Sequence, residues 1–249
     1  MKILVYGALG RMGQTLIELL KDTTHEIIAV DVKSTSPEVY RTLEEAPLAD
    51  VVVDFSHHSL LEDILLATKP HNTPLVIATT GHHETQIKAL EAASTQQAIF
   101  KSANLSVSMH VMQDLLNTYT ALLEDAYDIE ITETHHKHKV DAPSGSAWLL
   151  AQAIQDGAHT PKTIVLDRPQ RHTPRNPHEI GLTSLRGGSI VGEHTVHFYG
   201  EADSLHFTHK AYTKTVFAQG ALLAAQFMVN QAPGLYTMRD LIEERRKRT

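Results

Sequence analysis

Lys2-Ile3-Leu4-Val5-Tyr6-Gly7-Ala8-Leu9-Gly10-Arg11-Met12-Gly13 is the stretch that decides how this chain folds. Its first five residues are a short apolar, β-prone run, as in a strand buried on both faces. Three glycines follow at the spacing G-x-x-G-x-x-G, and residues 14–21 carry Leu16, Leu19 and Leu20 at helical spacing. Glycines in a strand-to-helix turn permit a tight reversal, close approach of a pyrophosphate and close packing of helix on strand. The helix start then offers free N–H groups and a positive dipole end to phosphates. Because the spacing departs from G-x-G-x-x-G, the motif draws its weight from context. A glycine-rich turn that binds nothing is the alternative, and the segments that follow weigh against it.

The next apolar run, 27–30, ends at Asp31, which lies 18 residues beyond Gly13. A carboxylate there can accept hydrogen bonds from the ribose hydroxyls of a dinucleotide. Runs at 51–53, 75–78 and 98–100 lead into Asp54-Phe55-Ser56, Thr79-Thr80-Gly81 and Ser102-Ala103-Asn104, with helical segments near 59–68 and 84–94 between them. This alternation predicts an α/β domain with a Rossmann-like, doubly wound parallel sheet. Ligands of such sheets collect beyond the carboxyl ends of the strands. Gly7, Ala8, Leu9, Gly10, Arg11 and Met12 are therefore candidate contacts for a dinucleotide. Ala78, Thr79 and Thr80, with Ser102, Ala103, Asn104 and Leu105, either face a nicotinamide ring or are ordinary polar turns. Asp31 favours NADH, whereas Lys33 could admit the 2′-phosphate of NADPH, and the choice stays open. Arg11 could reach the adenosine side or the pyrophosphate. Its bland alternative is a surface cation at a helix start, which the dipole disfavours.

From residue 106 the pattern changes. Residues 106–124 form an amphipathic helix, 127–133 alternate apolar and polar, and 144–154 read as a helix capped by Ser144. Residues 167–178, with three prolines, read as a long surface loop. Strand-like runs at 180–185, 189–191, 194–199 and 205–211 follow, and then a strongly apolar helix over 216–230. The expected organisation is a dinucleotide-binding domain over 1–106, completed by 216–249, and a second α+β domain over 107–215 with a mixed or antiparallel sheet.

Composition narrows the class. With 22 basic and 29 acidic residues the net charge is −7, which argues against a nucleic-acid binder with a general basic surface. The tail Arg245-Arg246-Lys247-Arg248 reads as a solvated helix end. The chain has no cysteine, so thiolate chemistry and disulfides are excluded. No apolar run approaches the roughly 18 residues of a membrane span, and Met1 leads directly into a strand without signal-peptide anatomy. A cytoplasmic location is the default expectation.

The densest chemistry lies in Glu133-Thr134-His135-His136-Lys137-His138-Lys139-Val140-Asp141-Ala142-Pro143-Ser144-Gly145-Ser146. Three imidazoles and two ammonium groups sit between a strand and a helix start. Histidine gains and loses protons near neutral pH, and lysine is a cationic proton donor there. The N–H groups of Gly145 and Ser146 at the helix start can bind a carboxylate. The segment thus suits acid/base work on a small anionic substrate, a dicarboxylate with a nearby carbon–nitrogen double bond. A metal site on His135, His136 and His138 is disfavoured by the repulsion of Lys137 and Lys139, so no metal is expected. A solvated basic loop is the remaining alternative. The pairs His57-His58 and His82-His83 show that paired histidines alone prove little, and they read as surface.

At these residues the chain resembles a known family. Glu133-x-His135-His136-x-x-Lys139-x-Asp141-Ala142-Pro143-Ser144-Gly145 is similar to the signature of the 4-hydroxy-tetrahydrodipicolinate (dihydrodipicolinate) reductases. The likeness extends through the 7–13 segment, Asp54-Phe55-Ser56, Thr79-Thr80-Gly81 and Ala103-Asn104-Leu105-Ser106. It continues through Arg186-Gly187-Gly188-x-Ile190-Val191-Gly192-Glu193-His194 and Phe217-Ala218-x-Gly220-Ala221. The resemblance implies reduction of a cyclic dicarboxylate by NADH or NADPH in diaminopimelate and lysine biosynthesis. It implies His135 as general acid/base, Lys139 as proton donor, and His136, Gly145 and Ser146 as carboxylate ligands. It further implies that the 7–12 segment and Asp31 hold adenosine and pyrophosphate, and that residues 78–80 and 102–105 face the nicotinamide. A homotetramer assembled through the sheet of the second domain is also implied. Ala78 and Ser108 stand where the family usually has glycine, and Ser146 where threonine is usual.

Overall fold

The computed structural model describes residues 1–248. They divide into two compact units, one formed by Met1–Val107 with the chain from Lys214 onward, the other by Ser108–Thr213.

The first unit is built on six parallel strands: β1 (Lys2–Tyr6), β2 (Glu26–Val30), β3 (Val51–Asp54), β4 (Leu75–Ile77), β5 (Ala98–Lys101) and β11 (Gly234–Tyr236). Their spatial order is β11-β5-β4-β3-β1-β2. Side chains alternate across a strand, and here both faces are apolar. Ile3, Val5, Val51, Val53, Val76 and Phe100 point to one side, where α1 (Arg11–Leu20), α6 (Thr215–Met228) and α7 (Met238–Arg248) cover them. Leu4, Tyr6, Val52, Leu75, Ile77 and Ile99 point to the other, covered by α2 (Leu61–Thr68) and α3 (Glu84–Ser94). The uninterrupted apolar runs thus have helices on both faces, as the doubly wound reading requires. Buried Ala218, Ala221, Ala224 and Ala225 present small side chains on α6, which brings this helix close to the sheet.

Gly7 and Gly13 shape the first turn. Gly7 has φ +83°, and a Cβ there would lie 2.7 Å from the carbonyl of Phe55. A Cβ on Gly13 would fall on the Gly7 carbonyl oxygen, so α1 leaves the strand at a distance only glycine allows.

The second unit carries β6 (Asp128–His135), β7 (Thr163–Val165), β8 (Glu179–Arg186), β9 (Gly192–Tyr199) and β10 (Ser204–Ala211) in the order β10-β9-β6-β8-β7. β6 is parallel to β8 and antiparallel to β9, so the sheet is mixed. Helices α4 (Val107–Leu123) and α5 (Gly145–Gly157) pack Met109, Met112, Leu116, Leu150 and Ile154 on Ile129, Ile131, Ile180, Leu182, Val196 and Phe198.

One expectation needs correction. Residues 189–191 are not a strand: Gly187 donates its N–H to the carbonyl of His135 at 2.9 Å, and Gly188 turns the chain at φ +51°. The three-residue strands β7 and β11 are too short to show a period. The proline-rich loop after β7 is pinned to the sheet by Arg168 and Arg175, which reach Glu130 at 2.7 and 3.3 Å. No helix among the described residues is long and apolar enough to cross a membrane.

Candidate active site

β6 buries every second residue, and along that face the sequence runs Ile129, Ile131, Glu133, His135. The first two enter the core; the last two place a carboxylate and an imidazole where the core ends. β9 repeats the pattern with Phe198, Val196, His194 and Gly192, and its register sets His194 opposite Glu133. β8 brings Ser184 opposite Glu133 and Arg186 opposite His135.

The Glu133 side chain has no exposed surface. Oε2 accepts from His135 Nδ1 at 2.5 Å and from Arg186 Nη1 at 2.8 Å, and Oε1 accepts from Arg186 Nη2 at 2.7 Å and from the Ser144 N–H at 3.2 Å. Burial raises the pKa of this carboxyl, but the bonds from Arg186, Ser184 and His135 outweigh it and hold the group at about 2. Glu133 is an anion throughout the physiological range. Burial lowers the His135 pKa, the Glu133 contact opposes that, and Lys139 and Arg186 add to the lowering. His135 is thus a mostly neutral base at pH 7 with a carboxylate at its back.

Ser144 caps α5 by accepting from the Ala147 N–H at 3.1 Å, and its hydroxyl also meets His194 Nε2 at 2.9 Å. Burial, with the His135 ring 5.1 Å away, pushes the His194 pKa down to about 3. Such a histidine takes up a proton on unfolding, so between pH ~6.5 and ~3 the unfolded chain binds more protons and acid favours it. Stability is therefore expected to fall on acidification from pH 7 to 5, each such proton contributing up to about 1.4 kcal/mol per pH unit. In His194→Gln the urea midpoint should move less between those pH values than in the wild type. An equal movement would remove His194 from the acid-labile groups.

Lys139 lies four residues past the end of β6, in a turn closed by its N–H donating to the His136 carbonyl at 3.1 Å. Its Nζ is 2.8 Å from Asp141 Oδ2. Gly145 and Ser146 open α5. A Cβ on Gly145 would meet nothing within 4 Å, so packing does not demand glycine there. His136 is half-buried, whereas His138 is exposed. The second unit thus gathers His135, His136, Lys139, Gly145 and Ser146 at one end of its sheet.

Glu133, Arg186 and His194 were in the sequence motifs but carried no assigned role. The available signal was period: a charged or imidazole side chain continuing an inward-facing apolar series. The donor atoms of Glu133, His135 and His194 lie within 4.8 Å of one another. Both Glu133 oxygens are already engaged by the Arg186 guanidinium, which repels a cation.

In the first unit, the candidate dinucleotide residues all follow strands of the parallel sheet. Gly7 and Ala8 donate to the Val30 carbonyl at 2.9 and 3.1 Å. Asp31 accepts from the Leu9 N–H and the Lys33 N–H, both at 2.9 Å, so it braces the glycine turn from the end of the neighbouring strand. Gly7, Leu9, Gly10, Asp31 and Lys33 line a groove of about 310 Å³ with Phe55 and Ser56. The α1 N-cap is Gly10, which brings no side-chain cap, and no acid occupies the first turn; this leaves its amides for an anion. Ser102 accepts from the Asn104 N–H at 3.3 Å, and Asn104 Oδ1 accepts from the Ser106 N–H at 2.8 Å. The departure Ser108 is accommodated, its hydroxyl meeting His209 Nε2 at 3.1 Å. His57 accepts from the Ser59 N–H, and His83 forms a capping box with Gln86; these two histidines are helix caps.

Two family descriptions match the chain: "Dihydrodipicolinate reductase, N-terminus" over residues 1–105 and "Dihydrodipicolinate reductase, C-terminus" over 108–242. The chain belongs to the dihydrodipicolinate reductase family. It is 40% identical to the 4-hydroxy-tetrahydrodipicolinate reductase of Caldanaerobacter subterraneus subsp. tengcongensis, over 98% of each chain. It is 42% identical to that of Staphylococcus saprophyticus, over 97% of this chain and all of that one. Among solved structures, the dipicolinate-bound dihydrodipicolinate reductase of Paenisporosarcina sp. TG-14 shares the fold with a TM-score of 0.74 at 20% identity, over 95% of this chain and 97% of that one. Membership in this reductase family, with a dinucleotide-binding N-terminal part, implies a nicotinamide cofactor.

Proposed function

We propose that the chain reduces 4-hydroxy-tetrahydrodipicolinate to tetrahydrodipicolinate with NADH or NADPH, in diaminopimelate and lysine biosynthesis. The observation that carries this reading is the set at the end of β6. An imidazole backed by an ionised carboxylate stands in the same unit as Lys139 and an α5 N-terminus that opens on Gly145.

In this reading the first unit is the dinucleotide-binding domain, and the second is the substrate-binding and oligomerisation domain of a cytoplasmic homotetramer. His135 acts as general acid/base through Nε2, and Lys139 donates a proton and balances developing negative charge. His136 and the N–H groups of Gly145 and Ser146 bind the substrate carboxylates. The dipicolinate in the Paenisporosarcina relative is a heterocyclic dicarboxylate, the chemical class this loop suits. Gly7, Ala8, Leu9, Gly10, Arg11 and Met12 take the pyrophosphate and adenosine side. Asp31 takes the ribose hydroxyls, and residues 78–80 and 102–105 take the nicotinamide side. The bound cofactor supplies the hydride. One hydride and one proton enter, and one water leaves, as the names of substrate and product require. Asp31 favours NADH and Lys33 makes room for NADPH, so both cofactors serve.

The test mixes enzymatically generated dihydrodipicolinate with the protein and follows loss of NADH and of NADPH absorbance separately. Turnover with both is expected, and His82→Ala is expected to leave it unchanged. Absence of oxidation with either cofactor would sink the proposal.

A further inference from the structure

We infer that Glu133 is a positioning residue for His135: its carboxylate, clamped by Arg186, holds a proton on Nδ1 and so leaves Nε2 as the nitrogen that reacts. The inference rests on the reading of His135 as the acid/base group and deepens it.

The geometry assigns the proton. Glu133 is ionised and can only accept, so the 2.5 Å contact requires a hydrogen on His135 Nδ1. In the neutral ring this places the lone pair on Nε2. That nitrogen faces Gly192, where a side chain would come within 3.1 Å, so the glycine keeps the reacting edge open. When Nε2 takes up a proton, the imidazolium stands against a fixed negative charge and is stabilised by it.

Arg186 keeps the carboxylate from turning. Its two terminal nitrogens bond one to each Glu133 oxygen, and Nη2 also reaches the Asp141 carbonyl at 2.7 Å. A bidentate fork sets direction as well as charge. The same arginine thus ties the carboxylate to the loop that carries Lys139. A competing account makes Glu133 a structural brace, since it also accepts from the Ser144 N–H that precedes α5.

Glu133→Gln separates the two. A glutamine –NH2 at the Oε1 position would face two donors, Arg186 Nη2 and the Ser144 N–H. At the Oε2 position it faces one obligatory donor, Arg186 Nη1, and can donate to His135 Nδ1, while the Ser184 hydroxyl near the carboxylate can turn to accept. The ring is then driven to the opposite tautomer, with its proton on Nε2. The readout is 15N NMR of histidine-labelled protein, with the His135 signals assigned by their loss in His135→Asn.

The wild type is expected to show Nδ1–H and Glu133→Gln Nε2–H. In the variant kcat/KM falls on the order of 100-fold or more, with the KM for NADH unchanged. The acidic limb of its pH profile moves to lower pH, because the imidazolium has lost its counter-charge. Arg186→Gln keeps the carboxylate–imidazole contact and should retain Nδ1–H and lose less activity. Should Glu133→Gln not fold, Glu133→Gln/Arg186→Met removes the stranded guanidinium and carries the same readouts.

An unchanged tautomer in the glutamine variant overturns the inference, as do equal losses in both single variants with the wild-type tautomer kept. Full activity in His135→Asn overturns instead the assignment of His135 as acid/base, and it leaves the tautomer result intact.

Discussion

In Lys139→Ala, kcat falls by on the order of 10²–10⁴ while the Kd for NADH keeps its wild-type value. The ammonium is tied to Asp141 at 2.8 Å, and its side chain is 20% exposed, so it is held yet reachable by a substrate. The alternative, that Lys139 merely anchors Asp141, is separated by Lys139→Arg. Arginine keeps the charge and the ion pair but does not give up its proton near neutral pH. The arginine variant should therefore stay impaired. Steady-state kinetics with both cofactors, and a fluorescence titration of NADH, check the split. Normal turnover in Lys139→Ala would exclude Lys139 as the proton donor. His135→Ala should lose kcat in the same way.

Lys162→Ala is expected to destabilise the second unit by about 3–5 kcal/mol, the cost of leaving a buried charge without its partner. Glu124, at the end of α4, and Lys162, before β7, pair at 3.0 Å with side chains 2% and 3% exposed. The carboxylate also accepts from the His159 N–H at 2.7 Å and the Thr160 N–H at 3.4 Å. Burial alone would raise the Glu124 pKa, but the Lys162 contact and the two amides bring it below the ordinary value. A carboxyl with a depressed native pKa stabilises the fold above its unfolded pKa, and that contribution is lost as pH falls through the native value. In Lys162→Ala this loss should begin at a higher pH. Urea unfolding at pH 7 and at pH 5 reads both effects. A change below about 1 kcal/mol at pH 7 would show that the pair is hydrated in solution and carries little stability.

Much of this was legible from residue order. The runs 3–6, 51–53 and 75–77 are apolar at every position, and only a sheet covered on both faces accommodates that. Gly7, Gly10 and Gly13 marked the turn: a side chain at Gly7 would meet the Phe55 backbone, and one at Gly13 would meet the Gly7 carbonyl. The segment from His135 to Ser146 was visible as a density of imidazoles, ammonium groups and a helix start. Other features were not legible. Residues 189–191 are β-prone by composition, yet two glycines and bonds back to the end of β6 make them a turn. β7 and β11 owe their existence to neighbours that supply hydrogen bonds, which local sequence does not record.

The sequence by itself determined the layered α/β plan, the glycine turn after β1 and the chemical inventory at the end of β6. These depend on period, glycine placement and residue type, all of which are local. Only the tertiary structure decided which side chains act on one another. Glu133, Arg186 and His194 lie on three strands, up to 61 positions apart (194 − 133 = 61), and they meet because strand register sets Glu133 opposite His194 and His135 opposite Arg186. A hydrogen bond requires a donor and an acceptor within about 3 Å, and pairing between distant strands is what brings them that close.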